Sequence, residues 1–257
     1  MKIVLFSFED IRQNIAADEA ALNLLRKQEL DDDLLRIWYS PFPALVAGRA
    51  QQIAREFHLE HCTLDRVPVI RRFTGGGAVV QCDRVLNYSF LLRRKPHRLS
   101  GNIRRIFGRV LSWISDILST RGIQTGMNGF SDLCTPQGKK ISGNALAIRG
   151  EAVCVHGTLI LKDISPLCDR YLQHPSREPE YRNGRPHKVF LASLCDSGIK
   201  IDADKLAEAA AEYFRSPVRH ELETAVRTEA GHLFTEKYTS HEWNQFGTRP
   251  GQVPGRR

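Results

Sequence analysis

No C-x-x-C pair joins any of the six cysteines, Cys62, Cys82, Cys134, Cys154, Cys168 and Cys195, which argues against a zinc ribbon or a thioredoxin-type redox site. Their wide spacing suits reduced thiols in a cytoplasmic setting. The N-terminus is apolar only from Ile3 to Phe6 before Glu9-Asp10 and lacks the apolar core of a signal peptide. No apolar run approaches the length of a membrane span. There are no internal repeats. Acidic residues are in the minority, 29 against 37 Lys and Arg, giving a net charge of +8 and a pI near 9.3. That balance favours an acidic partner, but no basic motif interleaved with aromatics points to nucleic acid.

What is present is a chain of 257 residues with 42% hydrophobic and 26% charged content, enough to bury a full core. The spacing predicts one domain over 1–247 and a disordered tail over 248–257, rich in Gly, Pro and Arg. Helices are expected over 9–30, 49–57, 103–120, 202–215 and 220–233. Strands are expected over 34–39, 44–47, 67–70, 86–92, 145–149 and 152–161. Asp18-Glu19 reads as part of a solvated helix face. Residues 175–191 read as a long polar loop of the kind that forms a lid, and 93–98 as a basic loop.

The densest stretch is Arg71-Arg72-Phe73-Thr74-Gly75-Gly76-Gly77-Ala78-Val79-Val80. It is neither a P-loop, since no Gly-Lys-Ser/Thr follows, nor a G-x-G-x-x-G turn heading a helix. Three glycines allow left-handed backbone and close approach of a ligand, and their free N–H groups can cradle an anion. The paired arginines add forked donors suited to phosphate or carboxylate. A second dense stretch runs from Ser131-Asp132 to Lys140-Ile141-Ser142-Gly143-Asn144-Ala145 and returns through His156-Gly157-Thr158-Leu159-Ile160-Leu161. Lys140, just before a small Ser-Gly turn, is able to reach into a pocket.

In order and spacing these segments resemble the lipoate–protein ligase family, within the wider group of biotin and lipoate ligases and octanoyl transferases. Trp38 to Gly48-Arg49-Ala50-Gln51 is similar to the family's G-R-x-Q strand ending. The Arg71 to Val79 stretch is similar to R-R-x-x-G-G-G-A-V, and Gly138 to Ala145 to G-x-K-x-S-G-x-A. Lys237-Tyr238-Thr239-Ser240 to Trp243-Asn244 is similar to the close K-Y-x-S-x-x-W-N. Gln81-Cys82 departs from the family's His-Asp.

The resemblance implies an α/β (α+β) fold with a mixed sheet and flanking helices. It implies activation of lipoate or octanoate by ATP and Mg2+ to an acyl-adenylate, then transfer to a lysine of an acidic lipoyl-acceptor domain. Lys140 would be the catalytic cation. Arg72, Gly75, Gly76, Gly77, Ala78, Val79, Val80, Asp132, Ser142, Gly143, His156, Gly157 and Thr158 would hold the nucleotide or adenylate, and no protein-bound metal is assigned. Complete ligases of the family carry a small accessory domain after the W-N close. This chain runs about a dozen residues further, so a separate accessory subunit is an expected partner; nucleic acid and membrane are not. The alternative is a transferase with a cysteine thioester. Cys154 is its candidate nucleophile, expected close to Lys140 across the hairpin, although its apolar strand reads more readily as core. Cys82 and Cys134 are weaker candidates.

Overall fold

The computed structural model describes residues 1–99, 102–175, 178–198 and 200–248. The expected tail therefore lies, apart from Thr248, outside the described residues. An eight-stranded sheet forms the centre. Its strands in chain order are β1 (Lys2–Leu5), β2 (Leu34–Tyr39), β6 (Val85–Arg93), β7 (Gly126–Asn128), β8 (Asp132–Cys134), β9 (Lys140–Arg149), β10 (Ala152–Ile160) and β11 (Val218–Arg219). A three-stranded sheet holds β3 (Ala44–Ala47), β4 (Val69–Arg71) and β5 (Val79–Gln81). The spatial orders are β11-β1-β2-β6-β10-β9-β8-β7 and β4-β3-β5. β1 runs parallel to β2 and β11, and the other pairs of the large sheet are antiparallel, so the sheet is mixed.

Parallel neighbours need a long crossover. Between β1 and β2 it is α1 (Ile11–Lys27), capped by Asp10, whose side chain accepts from the Arg12 N–H at 2.8 Å. The period-two alternation of β10 sends Val153 and Val155 to one face and Ala152 and Cys154 to the other. The first face packs on α4 (Ile103–Ser119) and α7 (Ala203–Phe214), through Ile106, Val110, Ile114, Leu206 and Ala210. The second packs on α1, which is itself covered by α8 (Thr224–Leu233). A third core lies between the small sheet, α2 (Ile53–Glu56), α3 (Leu59–Leu64) and α5 (Ser165–Tyr171). Two further short helices are α6 (His187–Phe190) and α9 (His241–Phe246).

Several expectations change. The helix expected over 49–57 is reduced to α2, because 49–52 turn away from β3. The strand expected over 145–149 begins at Lys140, so Ser142 and Gly143 lie inside β9 rather than in a turn. Residues 220–223 precede α8, and β11 was not foreseen.

Asp18 and Glu19 are the largest correction. They are 1% and 0% exposed, not solvated, because α1 is enclosed by the sheet on one side and α8 on the other. Charges on the enclosed faces of such a helix have no water to solvate them and must be paired. Asp18 meets Arg36 at 2.9 Å. Glu19 takes Lys237 at 2.7 Å and Arg149 at 2.5 Å, and the Tyr238 hydroxyl donates to it.

Arg71 is buried with backbone carbonyls rather than a carboxylate as its hydrogen-bond partners. Its guanidinium donates to the carbonyls of Gly48, Arg49 and Gln51 at 3.0, 2.9 and 2.8 Å, and of Trp243, Asn244 and Gln245 at 3.1, 3.2 and 2.7 Å. The Trp243 indole N–H returns to the Arg71 carbonyl at 3.0 Å. One side chain thus ties α9 to the strands that carry the glycine stretch.

Removing one partner of a buried charge cluster costs about 3–5 kcal/mol, because the opposite charges stay buried. Glu19→Gln takes the carboxylate from Lys237 and Arg149 and is expected to lower unfolding stability by about that much. Urea denaturation followed by circular dichroism measures it.

Candidate functional site

Between the two sheets and the segment 172–190 lies a cavity of about 270 Å³. Its wall is apolar through Ile15, Trp38, Val46, Val79 and Ala145, with polar groups at one side. Of the residues singled out in the sequence, Arg72, Gly76, Gly77, Ala78, Val79, Asp132, Lys140, Gly143, His156 and Gly157 line it. Gly75, which is exposed, and Val80, Ser142 and Thr158 are not among the residues that line it. Val80 packs in the third core, and Ser142 is buried against the Tyr88 hydroxyl at 3.0 Å. Thr158 sits opposite Asn87 in the ladder, and Gly75 supplies its carbonyl to Arg72.

The glycine stretch is shaped from beneath. Arg72 donates to the Gly75 carbonyl at 2.5 Å and the Gly77 carbonyl at 2.9 Å, and its Nε donates to Thr74 Oγ1 at 3.0 Å. Burial pushes its guanidinium down to about 10, so it stays cationic at neutral pH. Gly76 has φ +84°, in the left-handed region. With the carbonyls turned toward Arg72, the N–H groups of Gly75, Gly76 and Gly77 donate to no acceptor among the described residues. Three unspent donors beside a buried cation form an anion-binding concavity.

Thr74 continues inward to His156 Nε2 at 2.6 Å, and His156 Nδ1 lies 3.6 Å from Asp18 Oδ2. Asp18 also accepts from Ser89 at 2.5 Å. With the Asp18 carboxylate facing Nδ1, Nε2 is left to accept from the Thr74 O–H. This puts the imidazole proton on Nδ1, facing Asp18. Burial pushes His156 below its ordinary value and Asp18 pulls the other way, with burial prevailing. Burial raises Asp18, but Arg36 and His156 together outweigh it and hold the carboxyl low.

On the other wall Lys140 Nζ pairs with Asp132 Oδ1 at 3.0 Å. Asp132 Oδ2 accepts from the Tyr181 hydroxyl at 2.8 Å, and burial next to Asp132 keeps that phenol protonated. Tyr181 belongs to the stretch expected to form a lid. There a 3-10 turn (Glu180–Arg182) and α6 lay Pro179, Arg182, His187 and Phe190 along the cavity. Gly157 is required by a close approach. A Cβ there would stand 1.9 Å from Asn144 Oδ1 and 2.6 Å from the Tyr88 hydroxyl.

Tyr88, Asn144, Tyr181 and the amide pair Gln81–Asn87, joined at 2.7 and 2.9 Å, were not assigned from the sequence. Asn144 lies inside the quoted G-x-K-x-S-G-x-A segment, so only its neighbours were a signal. Tyr181 comes from a distant loop and left none.

Cys154 does not face this cavity. In the register it pairs with Ala147, seven residues along β9 from Lys140, or about 23 Å at strand spacing. It packs against α1, and burial beside Asp18 raises its thiol well above the ordinary value. Cys82 and Cys134 are also buried, with thiols pushed up by burial. No cysteine is among the described residues lining the cavity.

The mixed sheet with flanking helices is the fold of known lipoate-protein ligase structures, and the family follows from the sequence. The chain belongs to the lipoyl protein ligase A/B catalytic domain family, whose model matches residues 10–215. It is 32% identical over 148 residues to a putative lipoate-protein ligase A of Aeropyrum pernix, covering 58% of this chain and 53% of that protein. It is 26% identical over 237 residues to the octanoyltransferase LipM of Oceanobacillus iheyensis, covering 86% of each. The chain thus spans about half the length of the Aeropyrum relative. Relatives of both activities are present, so family membership alone leaves the choice between them open. In fold, it matches a structure described as a bipartite lipoate protein ligase and its E2 lipoyl domain from Thermoplasma acidophilum. There the TM-score is 0.80 at 22% identity over 98% of both chains. A lipoate-protein ligase A bound with ATP matches with a TM-score of 0.77 at 22% identity over 95% of this chain and 98% of that one.

Two measurements follow. A thiol reagent at pH 8 is expected to label Cys195 quickly and the five buried cysteines only after unfolding, read by mass. Nitrogen NMR is expected to find His156 neutral at pH 7 with its proton on Nδ1. Its folded value is the lower one, so the unfolded chain takes up the proton first as pH falls below about 6.5. The contribution of His156 to stability is thus full above that pH and declines as the pH drops toward the folded value.

Proposed function

We propose that the protein is an ATP-dependent lipoate–protein ligase. Its acid substrate is lipoate or octanoate, and its acceptor is a lysine on an acidic lipoyl domain. The observation that carries the reading is the juxtaposition of Lys140, Arg72 and the Gly76 and Gly77 N–H groups, which have no acceptor among the described residues, on one cavity, with no cysteine among its described lining residues. A thioester route needs a thiol at the reacting carbonyl, whereas an adenylate route needs cations and N–H donors at a phosphate.

The residues present fit a nucleotide. Arg72 is fixed by carbonyls and carries an uncompensated charge, and the glycine N–H groups beside it await acceptors. The apolar side, from Ile15 to Ala145, suits a medium acyl chain. Mg2+ would arrive with the triphosphate, as it usually does.

In the first half-reaction a carboxylate oxygen of the acid attacks the α-phosphorus and pyrophosphate leaves. In the second, the acceptor amine attacks the acyl carbonyl, an amide bond forms, AMP leaves and the amine proton passes to solvent. Lys140 gives up part of its contact with Asp132 to charge developing on the phosphate and carbonyl oxygens. Tyr181, by donating to Asp132, weakens the hold of that carboxylate on the lysine. Six free cysteines fit a reducing, cytoplasmic setting. The bipartite description of the Thermoplasma neighbour supports a separate accessory subunit as a further partner.

The test combines purified protein, lipoate, ATP, magnesium and an apo lipoyl domain, with the acceptor read by intact mass. The lipoyl mass is expected only with ATP. Lys140→Ala is expected to lower the rate by about 10²–10³ fold, the usual loss for one such electrostatic group. Acyl transfer from an octanoyl carrier protein without ATP would instead assign the transferase.

A further inference from the structure

From Arg93 to Ser115 the chain has seven Lys and Arg and no Asp or Glu. The first of these cations are engaged: Arg93 with Asp33, Arg94 with backbone carbonyls, Lys95 with Glu151. Arg104, Arg105 and Arg109, on the exposed side of α4, form no ion pair among the described residues. Clustered cations with no internal carboxylate repel one another, so the fold gains nothing from them.

Apolar surface lies on the Arg104 flank of α4, whereas Arg105 points outward and Arg109 lies on the other flank, near Tyr213 of α7. The Phe130 ring packs edge-on against Phe107 of α4 at 5.7 Å, lines the cavity, and is still 52% exposed. Ile103 and Arg104 lie one turn before Phe107, on the same side of the helix. Ile103 is 43% exposed, and Met127, on the edge strand β7, is 39% exposed. β7 leads directly into the 129–131 loop that carries Phe130.

We infer that this corner of α4 and β7 is the docking surface for the acceptor, an acidic protein domain that presents its lysine past Phe130 into the cavity. The inference rests on the ligase reading above and extends it to the partner's footprint. The occupant follows from charge and continuity. An acidic domain satisfies Arg104 and its neighbour Arg105, its apolar surface covers Ile103 and Met127, and Phe130 belongs to both the surface and the cavity. Nothing in the adenylation step needs these arginines, so the surface serves only the second half-reaction.

The test separates the two half-reactions. Arg104→Glu/Arg105→Glu in the full chain is compared with Arg219→Glu. Arg219 lies on β11, at the opposite edge of the eight-stranded sheet and about 34 Å away at strand spacing. Pyrophosphate release from lipoate and ATP without acceptor is expected to stay within about twofold of wild type in both. The KM for the apo lipoyl domain is expected to rise about tenfold or more in the double variant alone, with a shallower loss of kcat/KM between roughly 50 and 300 mM NaCl. Equal acceptor KM in the two variants overturns the inference, as does a loss confined to pyrophosphate release. Direct binding of the apo domain, followed by anisotropy without ATP, reads the surface even if the ligase reading fails. Binding lost in the double variant supports the docking surface. Binding unchanged there, or wild-type affinity for a nucleic acid but none for the domain, overturns it.

Discussion

The site depends on a carboxylate buried in the middle of a helix. Asp18 is held low by Arg36 and stands under the sheet with Ser89 and His156 against it. From there polar contacts run outward, from Asp18 to His156 at 3.6 Å and then by hydrogen bonds through Thr74 and Arg72 to the carbonyls of the glycine loop. Each member fixes the orientation of the next, and the carbonyls turned in toward Arg72 leave the N–H groups free. Without a negative charge at the inner end, Arg36 would lie uncompensated in the core and His156 would lose the group that sets its tautomer. The glycines alone, with φ unconstrained, would sample many shapes.

The second wall is organised differently. Lys140 is held by Asp132, and Asp132 is shared with Tyr181, which reaches in from 49 residues downstream in the chain. A lysine parked on a carboxylate is a cation in reserve. The phenol reduces that hold, so the segment over the cavity and the charge inside it are joined by one hydrogen bond. The two walls meet where Gly157 lets Tyr88 and Asn144 pass close to β10.

Much of this was legible in the order of residues. The amphipathic period of 103–120 and the returning strand expected over 152–161 placed two elements that pack on each other in the core, and the glycine stretch with Lys140 marked both walls. The separation of Cys154 from Lys140 follows from register, which a hairpin turn sets and composition does not. Asp18-Glu19 misled because charges inside a helix pattern usually face water. Their burial follows from α8 covering α1 across two hundred residues of chain, which no local pattern encodes. Tyr181, Gln81 and Asn87 were silent for the same reason: each matters through a partner brought by the fold.

The clamp around Arg71 has a consequence for the order in which the molecule is completed. Three of its six carbonyl acceptors belong to Trp243, Asn244 and Gln245, more than 170 residues later in the chain. During synthesis the sheet strands and the glycine stretch leave the ribosome long before those carbonyls exist. Until then the guanidinium at the root of the loop has only half of its acceptors. The clamp is therefore a late acquisition, completed when α9 docks onto the strands that carry the glycine stretch.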